Sequence, residues 1–269
     1  MKMRKLITIC AVVTMILAVS GVAQAGVTAY TYDVGPGDLA GGGAFDNGQG
    51  GEPFGYDHDQ APPIGVDVAG PAGFGDSCFW SNVQGTAAGG GRDYTSLRLS
   101  PKDIFGVTDV TVAQLSKISY LTKQQFDTSN PDMDMAWQIK IYTEGDPGNW
   151  YGVKIELTKP LHNDNNWNLN STDDNLSVYK TVIKDSGFGT LSAGTSFAAM
   201  VAEYGSENIM FIDIIAGWNS SSPPVYSYLD GVKLELTTGD TATMNLVPEP
   251  ATMCLLGLGG LLLRRRRNA

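Results

Sequence analysis

The stretch WQIKIYTEGDPGNWYGVKIEL, residues 137–157, decides the fold class of this chain. Apolar side chains take every second position in both halves: Trp137, Ile139 and Ile141, then Tyr151, Val153, Ile155 and Leu157. A period of two is that of a strand with one buried face. Residues 144–149, with two glycines and a proline, have the composition of a turn. The stretch therefore predicts an antiparallel hairpin of two half-buried strands.

Segments outside this hairpin extend the same pattern. Further strands are predicted at 78–84, 95–100, 115–122, 177–183, 208–216 and 226–237. Their spacing indicates a two-sheet sandwich. Residues 33–75 are rich in Gly, Pro, Asp and Asn and predict long loops. One short helix is predicted at 197–204, with Thr195 or Ser196 as N-cap and Gly205 at its end.

The closing segment SENIMFIDIIAGWNSSSPPVYSYLDGVKLEL, residues 206–236, resembles the last strands of jelly-roll, carbohydrate-binding-module-like domains. The fold class expected for the chain is therefore all-β, an antiparallel, jelly-roll-like β-sandwich with one short helix. An N-terminal signal helix and a C-terminal hydrophobic helix are expected to flank it.

The N-terminus has the three parts of a secretory signal peptide. A basic start precedes the apolar run Leu6–Val19, and the small residues Ala23 and Ala25 form a cleavage sequence. We expect the translocon to export the chain and a signal peptidase to cut after Ala25.

The C-terminus joins a proline-rich hinge to a short apolar run. The hinge consists of Pro248, Glu249 and Pro250, and the run ends on Arg264, Arg265, Arg266 and Arg267. A helix of about 13 residues is about 20 Å long, whereas a bilayer core is ~30 Å thick. The run is therefore a marginal membrane anchor, with its arginines on the cytoplasmic side.

This C-terminal order resembles the PEP-CTERM sorting signal of exported bacterial proteins, with an ordinary tail anchor as the alternative. The resemblance implies an exosortase, a membrane-embedded transpeptidase-like enzyme, as partner. It also implies anchoring in the inner membrane in transit, then residence in the cell envelope, at the surface or in an extracellular matrix. The predicted organisation is a signal peptide at 1–25, an exported domain at 26–246 and the sorting signal at 247–269.

The exported domain is strongly acidic, since it keeps 11 of the basic residues and 27 of the acidic ones. A charge near −16 excludes nucleic acid as a partner. It suits solubility, contact with divalent cations or a neutral glycan. Cys78 is the domain's single cysteine, so no disulfide forms within it, and we expect a small strand residue there.

Signals for catalysis are weak. His58 and His162 have no second His or Cys at metal-ligand spacing, which argues against a zinc site. Asp132 and Asp134 are the nearest pair for a glycosidase, but a solvated loop explains them better. We therefore expect a protein that is not an enzyme and needs no cofactor. The alternative is a polysaccharide-active glycosidase or lyase on a jelly-roll or concanavalin-like scaffold.

Two kinds of residue are candidates for binding. Acidic loops supply the oxygens that calcium prefers, and the candidate ligands are Asp164, Asp173, Asp174 and Asp230. Trp150 and Trp167 stand among polar, turn-forming residues and are candidates for stacking on sugar rings. The function expected is that of a non-catalytic surface or matrix protein, glycan-binding or structural, with extracellular polysaccharide as a candidate partner.

Overall fold

Two β-sheets of seven strands each contain most of the residues that the structure describes. The structure, a computed structural model, describes residues 27–35, 37–39, 43–46, 64–65, 70–75, 77–83, 94–125, 136–160, 162, 164–217 and 225–247. The predicted signal peptide and the predicted sorting residues from Pro248 onward lie outside these ranges, as do His58, Asp132 and Asp134. The all-β sandwich expected from the hairpin pattern is confirmed.

Sheet 1 contains β1 Ala29–Val34, β3 Ile64–Gly65, β4 Cys78–Val83, β6 Leu115–Gln125, β9 Asn168–Ser171, β13 Val225–Leu236 and β14 Thr241–Leu246. Sheet 2 contains β2 Phe45–Asp46, β5 Tyr94–Leu99, β7 Gln138–Thr143, β8 Val153–Leu157, β10 Val178–Ile183, β11 Gly187–Phe188 and β12 Ile209–Gly217. Every predicted strand is present, with its ends within about three residues of the prediction.

The order of the strands is jelly-roll-like. In sheet 1, β4, β13, β6 and β9 are neighbours in that order, and in sheet 2 the order is β5, β12, β7, β8. The chain passes from sheet to sheet between β4 and β5 and again between β6 and β7. The predicted hairpin is present as the antiparallel pair of β7 and β8, so residues 137–157 supply the centre of sheet 2.

Two helices and a 3₁₀ turn accompany the sheets in the described part of the chain. They are α1 Pro101–Phe105, the turn Val112–Gln114 and α2 Phe197–Tyr204. The α2 helix confirms the prediction, because the Ser196 Oγ accepts a hydrogen bond from the Ala199 N–H at 3.2 Å and Gly205 follows the last turn. The five-residue α1 was not predicted.

The core lies between the two sheets and is built from the alternating apolar residues. Trp137 is fully buried, as predicted, and its ring centroid lies 5.7 Å from that of Phe79 on the opposite sheet. The Tyr120 hydroxyl donates to the Trp137 carbonyl oxygen at 3.0 Å. These contacts join β4, β6 and the start of β7 across the sandwich.

Strands β1 and β14 close one edge of sheet 1, and neither was predicted. They pair in parallel from Ala29 opposite Thr241 to Val34 opposite Leu246. The Val247 N–H continues the ladder by donating to the Val34 carbonyl oxygen at 2.9 Å. The first strand of the exported domain is therefore held against its last one.

The half-buried character predicted for β7 is wrong. All six of its residues are buried, including Gln138 and Lys140 on the face away from the core. The alternation gave the correct direction of each side chain, but it could not show that the second face is also closed to water.

Candidate functional site

A row of five charged side chains crosses the outer face of sheet 2. Opposed residues on neighbouring strands point to the same side of a sheet. The register sets Arg98 opposite Asp213, Asp213 opposite Lys140, Lys140 opposite Glu156, and Glu156 opposite Lys180. Signs alternate along the row from β5 to β10, so each carboxylate has a cation on either side. We call these five residues the charge row. Beyond Arg98 the register places a further carboxylate, Asp46 of β2, on the same face.

Both carboxylates of the row, Asp213 and Glu156, bind cations through both of their oxygens. Arg98 binds Asp213 with two nitrogens, Nε to Oδ1 at 2.9 Å and Nη2 to Oδ2 at 3.2 Å. Glu156 accepts Lys154 Nζ on Oε1 at 2.9 Å and Lys180 Nζ on Oε2 at 3.4 Å. Two-point contact of this kind fixes the orientation of both acids as well as their charge.

The pKa values of the three central groups of the row, Asp213, Lys140 and Glu156, are shifted from their ordinary values. Lys140 is 6% exposed, and burial lowers the pKa of its ammonium to about 8, against the attraction of Glu156. Burial also raises the pKa of the Asp213 carboxyl, with Arg98 opposing it. For Glu156 burial acts upward too, but the combined charges of Lys140, Lys154 and Lys180 outweigh it and the pKa falls below its ordinary value.

Four aromatic rings lie beside the charge row on the same sheet. Trp150 stacks on Phe211 with centroids 6.1 Å apart and also packs on Tyr142 at 5.2 Å and Tyr151 at 4.6 Å. The Arg98 guanidinium lies 4.1 Å above the Phe211 ring, a cation–π contact that links the cluster to the row. We call these four rings the aromatic cluster.

The balance of charge on this face differs from that of the whole domain. The charge row with Lys154 and Asp46 has four cations and three carboxylates. The exported domain has 11 basic and 27 acidic residues, so the outer face of sheet 2 gathers more than a third of its positive charges. A local excess of cations attracts anions to this face in spite of the acidic total.

The two tryptophans proposed for sugar contact lie beside different sheets. Trp150 follows β7 and belongs to the aromatic cluster of sheet 2, whereas Trp167 directly precedes β9 of sheet 1. Both are partly exposed. Sugar contact by either ring stays a prediction, and their places beside different sheets do not favour one shared site.

The four acids proposed for calcium are not brought together. Asp164 bonds locally to the Asn166 N–H at 3.1 Å, and Asp173 pairs with Lys117 at 2.8 Å. Asp174 is exposed, and Asp230 is buried inside β13 rather than before the last strand, because β14 follows. Within the described ranges, three or more His, Cys, Asp or Glu side chains nowhere meet closely enough to hold a metal.

The remaining candidates have local structural partners. The His162 ring Nε2 lies 3.0 Å from Asn170 Oδ1, so this imidazole is tied to β9. Cys78 is buried on β4, as expected of a strand residue, and burial raises the pKa of its thiol to about 12. A thiol held protonated is a poor nucleophile.

The sequence pattern missed the charge row because it marked these positions only as the polar half of each strand. A signal was nevertheless present. Lys140 and Glu156 stand in the predicted hairpin at positions that a short loop sets opposite each other, and opposite charges there favour pairing. The partners Arg98 and Asp213 come from distant segments, and a single sequence does not give their register.

Comparisons with known proteins bear on the C-terminal end alone. A family model for the PEP-CTERM protein-sorting motif matches residues 246–267. No curated protein and no solved structure matches the chain. The match confirms the predicted sorting signal and indicates an exported protein that an exosortase sorts, with transient anchoring in the membrane. It begins at Leu246, so the motif starts at the last residue of β14.

Helices of the sandwich itself are short. In the described ranges none has both the length and the apolar character needed to cross a bilayer.

Proposed function

We propose that this exported and sorted chain is a non-catalytic surface or matrix protein that binds an acidic polysaccharide through the outer face of sheet 2. The observation that carries the proposal is the charge row, in which four cations, Lys154 included, surround two carboxylates. Complementary charge steers an anionic chain to such a face and away from the rest of an acidic domain. The cell envelope or an extracellular matrix is the proposed final location.

The central members of the row are buried, whereas its outer cations are partly exposed. The Lys140 and Asp213 side chains are buried, whereas 41% of the Lys180 side chain and 21% of the Arg98 side chain are exposed. The buried members hold the outer cations in place, so little side-chain freedom is lost when an anion binds. Carboxylates repeated along a sugar chain would bind these outer cations.

The aromatic cluster supplies the second half of a sugar site. Trp150 is partly exposed at the edge of the cluster, and indole rings pack well on the apolar faces of sugars. The resemblance of residues 206–236 to carbohydrate-binding-module-like domains also favours a polysaccharide ligand over a small anion.

Affinity electrophoresis in gels that contain alginate, a polyuronate, tests the proposal, with dextran as neutral polymer. We expect alginate but not dextran to retard the wild type, and added salt to weaken the effect. Lys180→Ala should weaken binding about two- to fivefold, the range of one exposed ion pair.

Lys233→Ala is the matched control for this variant. Lys233 is 37% exposed and pairs with a strand glutamate, Glu235, at 2.8 Å, but it belongs to sheet 1. Equal weakening by both variants, or equal retardation in dextran, would refute the proposed face.

A second candidate function, polysaccharide cleavage, is favoured by the placement of Glu156 and Asp213. They flank Lys140 from neighbouring strands on one face of the sheet, and a glycosidase also needs two carboxyl groups facing one sugar. Their pKa values also shift in opposite directions. Against catalysis, both oxygens of each carboxylate already bind cations.

Release of reducing ends from alginate separates the two functions. Activity that Glu156→Gln and Asp213→Asn each abolish, in variants that are still folded at the assay temperature, would establish the enzyme. Binding without such release would support the non-catalytic proposal.

A further inference from the structure

Phe188 is an aromatic side chain exposed at the edge of sheet 2. It lies in the edge strand β11, and 84% of it is exposed, more than any other large apolar residue in the described ranges. A single exposed apolar residue is common on protein surfaces, so its place in the sheet decides what this ring can do.

The register puts Phe188 in line with the aromatic cluster. Phe188 opposes Val182 on β10, and Val182 opposes Lys154 on β8. Lys154 in turn opposes Tyr142 on β7, a ring of the aromatic cluster. Opposed residues share a face, so Phe188 lies on the outer face of sheet 2, as the charge row does. Neighbouring strands are ~4.8 Å apart, so Phe188 and Tyr142 are ~14 Å apart along the sheet.

A tight hairpin holds the backbone of Phe188 in place. Ile183 of β10 pairs with Gly187 of β11 across the turn. On the other side of Phe188, the Gly189 N–H donates to the Thr181 carbonyl oxygen at 2.9 Å. A Cβ added at Gly189 would clash with the side chains of Thr181 and Tyr204, so this end of the strand is closely packed. The ring is therefore presented by an ordered backbone, and little chain entropy is lost when a ligand packs on it.

Two partly exposed lysines lie between Phe188 and the aromatic cluster. Lys154 and Lys180 both bind Glu156, at 2.9 Å and 3.4 Å. Two cations therefore share one carboxylate, and this part of the face keeps a positive charge. In the hairpin turn Asp185 pairs with Lys184 at 3.8 Å, which leaves the balance unchanged.

The opposite end of the charge row is less favourable for an anion. There Arg98 lies between two carboxylates, since Asp213 opposes it from β12 and Asp46 from β2. Complementary charge therefore directs an acidic polymer toward β8, β10 and β11 rather than toward β5 and β2.

We propose that Phe188 is a second ring on which the polysaccharide packs, and that the site binds several consecutive sugars of a linear polyuronate rather than a single sugar. This inference rests on the proposed function. One sugar packs on Trp150 of the aromatic cluster and another on Phe188, while carboxylates between them pair with Lys154 and Lys180. A 1,4-linked sugar advances its chain by roughly one strand spacing, so a chain of about four sugars reaches from one ring to the other.

Competition between mannuronate oligomers and alginate in affinity electrophoresis tests the inference on the full chain, purified in detergent and kept at constant ionic strength. The measured quantity is the oligomer concentration that halves the retardation by alginate. A disaccharide reaches one ring, whereas a hexasaccharide reaches both. We expect the wild type to bind the hexasaccharide at least tenfold more tightly than the disaccharide.

Phe188→Ala should weaken hexasaccharide binding by about three- to tenfold, the range of one lost aromatic contact. Binding of the disaccharide should stay within a factor of about two, because Trp150 is intact. Phe188→Trp, which keeps an aromatic ring, should bind the hexasaccharide at least as tightly as the wild type.

Leu169→Ala is the matched control. Leu169 is also an exposed apolar residue of an edge strand, at 58%, but it belongs to β9 of sheet 1. Binding should be unchanged in this variant. Both alanine variants should keep Tm within about 2 °C of the wild type, because neither side chain lies in the core.

Three results would overturn the role of Phe188 while the proposed function stands. They are equal binding of the two oligomers by the wild type, unchanged hexasaccharide binding in Phe188→Ala, and an equal loss in Leu169→Ala. A wild type that alginate does not retard would instead refute the proposed function, and the inference with it.

Discussion

Removing Asp213 from the charge row should destabilise the sandwich far more than removing an exposed acid. Asp213 is 3% exposed and binds Arg98 through both oxygens. The variant Asp213→Ala leaves the guanidinium and the buried Lys140 without this anion. Breaking a buried ion pair on one side costs about 3–5 kcal/mol. At about 2–4 °C per kcal/mol for a domain of this size, Tm should fall by about 6–20 °C.

A double variant distinguishes the cost of leaving one charge without its partner from the net contribution of the ion pair to the free energy of unfolding. Arg98→Met with Asp213→Leu replaces both charges by apolar groups that suit a strand and can still pack on Phe211. Such replacements are often neutral. We expect the double variant to unfold within about 1 kcal/mol of the wild type, well above Asp213→Ala.

Urea unfolding followed by tryptophan fluorescence measures all three free energies. Asp173→Ala is the control, because its pair with Lys117 is also short, at 2.8 Å, but 59% of the Asp173 side chain is exposed. Its cost should stay below about 1 kcal/mol. A loss of less than 1 kcal/mol in Asp213→Ala would mean that water reaches the row, and that Asp213 and Lys140 are not buried as described.

Three further variants test other parts of the structure. Burial lowers the pKa of Lys140 to about 8, so the unfolded chain binds more protons than the folded one between pH 8 and 10. The free energy of unfolding of the wild type should therefore rise with pH in this window. Lys140→Met should remove that rise. Urea titrations at pH 7, 8, 9 and 10 would show the rise in the wild type alone, and an equal rise in the variant would assign it elsewhere. Ser196→Ala should cost about 1 kcal/mol, since Ser196 caps α2, and Ser196→Asp should restore most of it. Trp137→Ala should cost about 3–5 kcal/mol by opening a cavity against Phe79; a smaller loss in chemical unfolding would place Trp137 outside the core.

Strand positions were predictable because their cause is local. In β8, Val153, Ile155 and Leu157 alternate with Lys154 and Glu156, and the structure buries the apolar set in the core. The short helix α2 was predictable for the same reason, since its cap and its apolar face lie within ten residues. Signals of this kind need no knowledge of what the segment packs against.

Strands that depend on distant partners were missed. β1 and β14 are separated by most of the chain, yet each is the other's neighbour, and the sequence analysis predicts no strand at either place. The five-residue helix α1 is likewise too short for a periodic pattern to develop. A strand at a sheet edge gains much of its order from the ladder it joins, so its own residues carry a weak signal.

The candidate sites show the same difference between features that depend on neighbouring residues and features that depend on distant ones. Asp230 was a calcium candidate because it was expected before the last strand, where it could close a site with the N-terminal loop. In the structure Asp230 lies within β13, and its Oδ1 accepts hydrogen bonds from the N–H groups of Gly231 and Leu246. Leu246 belongs to β14, a strand that the sequence pattern does not predict.

The charge row could not be predicted from the sequence because the register of the strands, and not the type of each residue, brings its members together. Lys140 between Ile139 and Ile141 has the pattern of any solvated strand position, and so does Asp213 between Ile212 and Ile214. A slip of two residues in the pairing of β7 with β12 would keep both apolar faces in the core and still part these charges. Alternating signs across five strands therefore reinforce one register among several that hydrophobic burial alone would allow. The same charges that make the face a candidate for an anionic ligand also help to define the sheet that presents it.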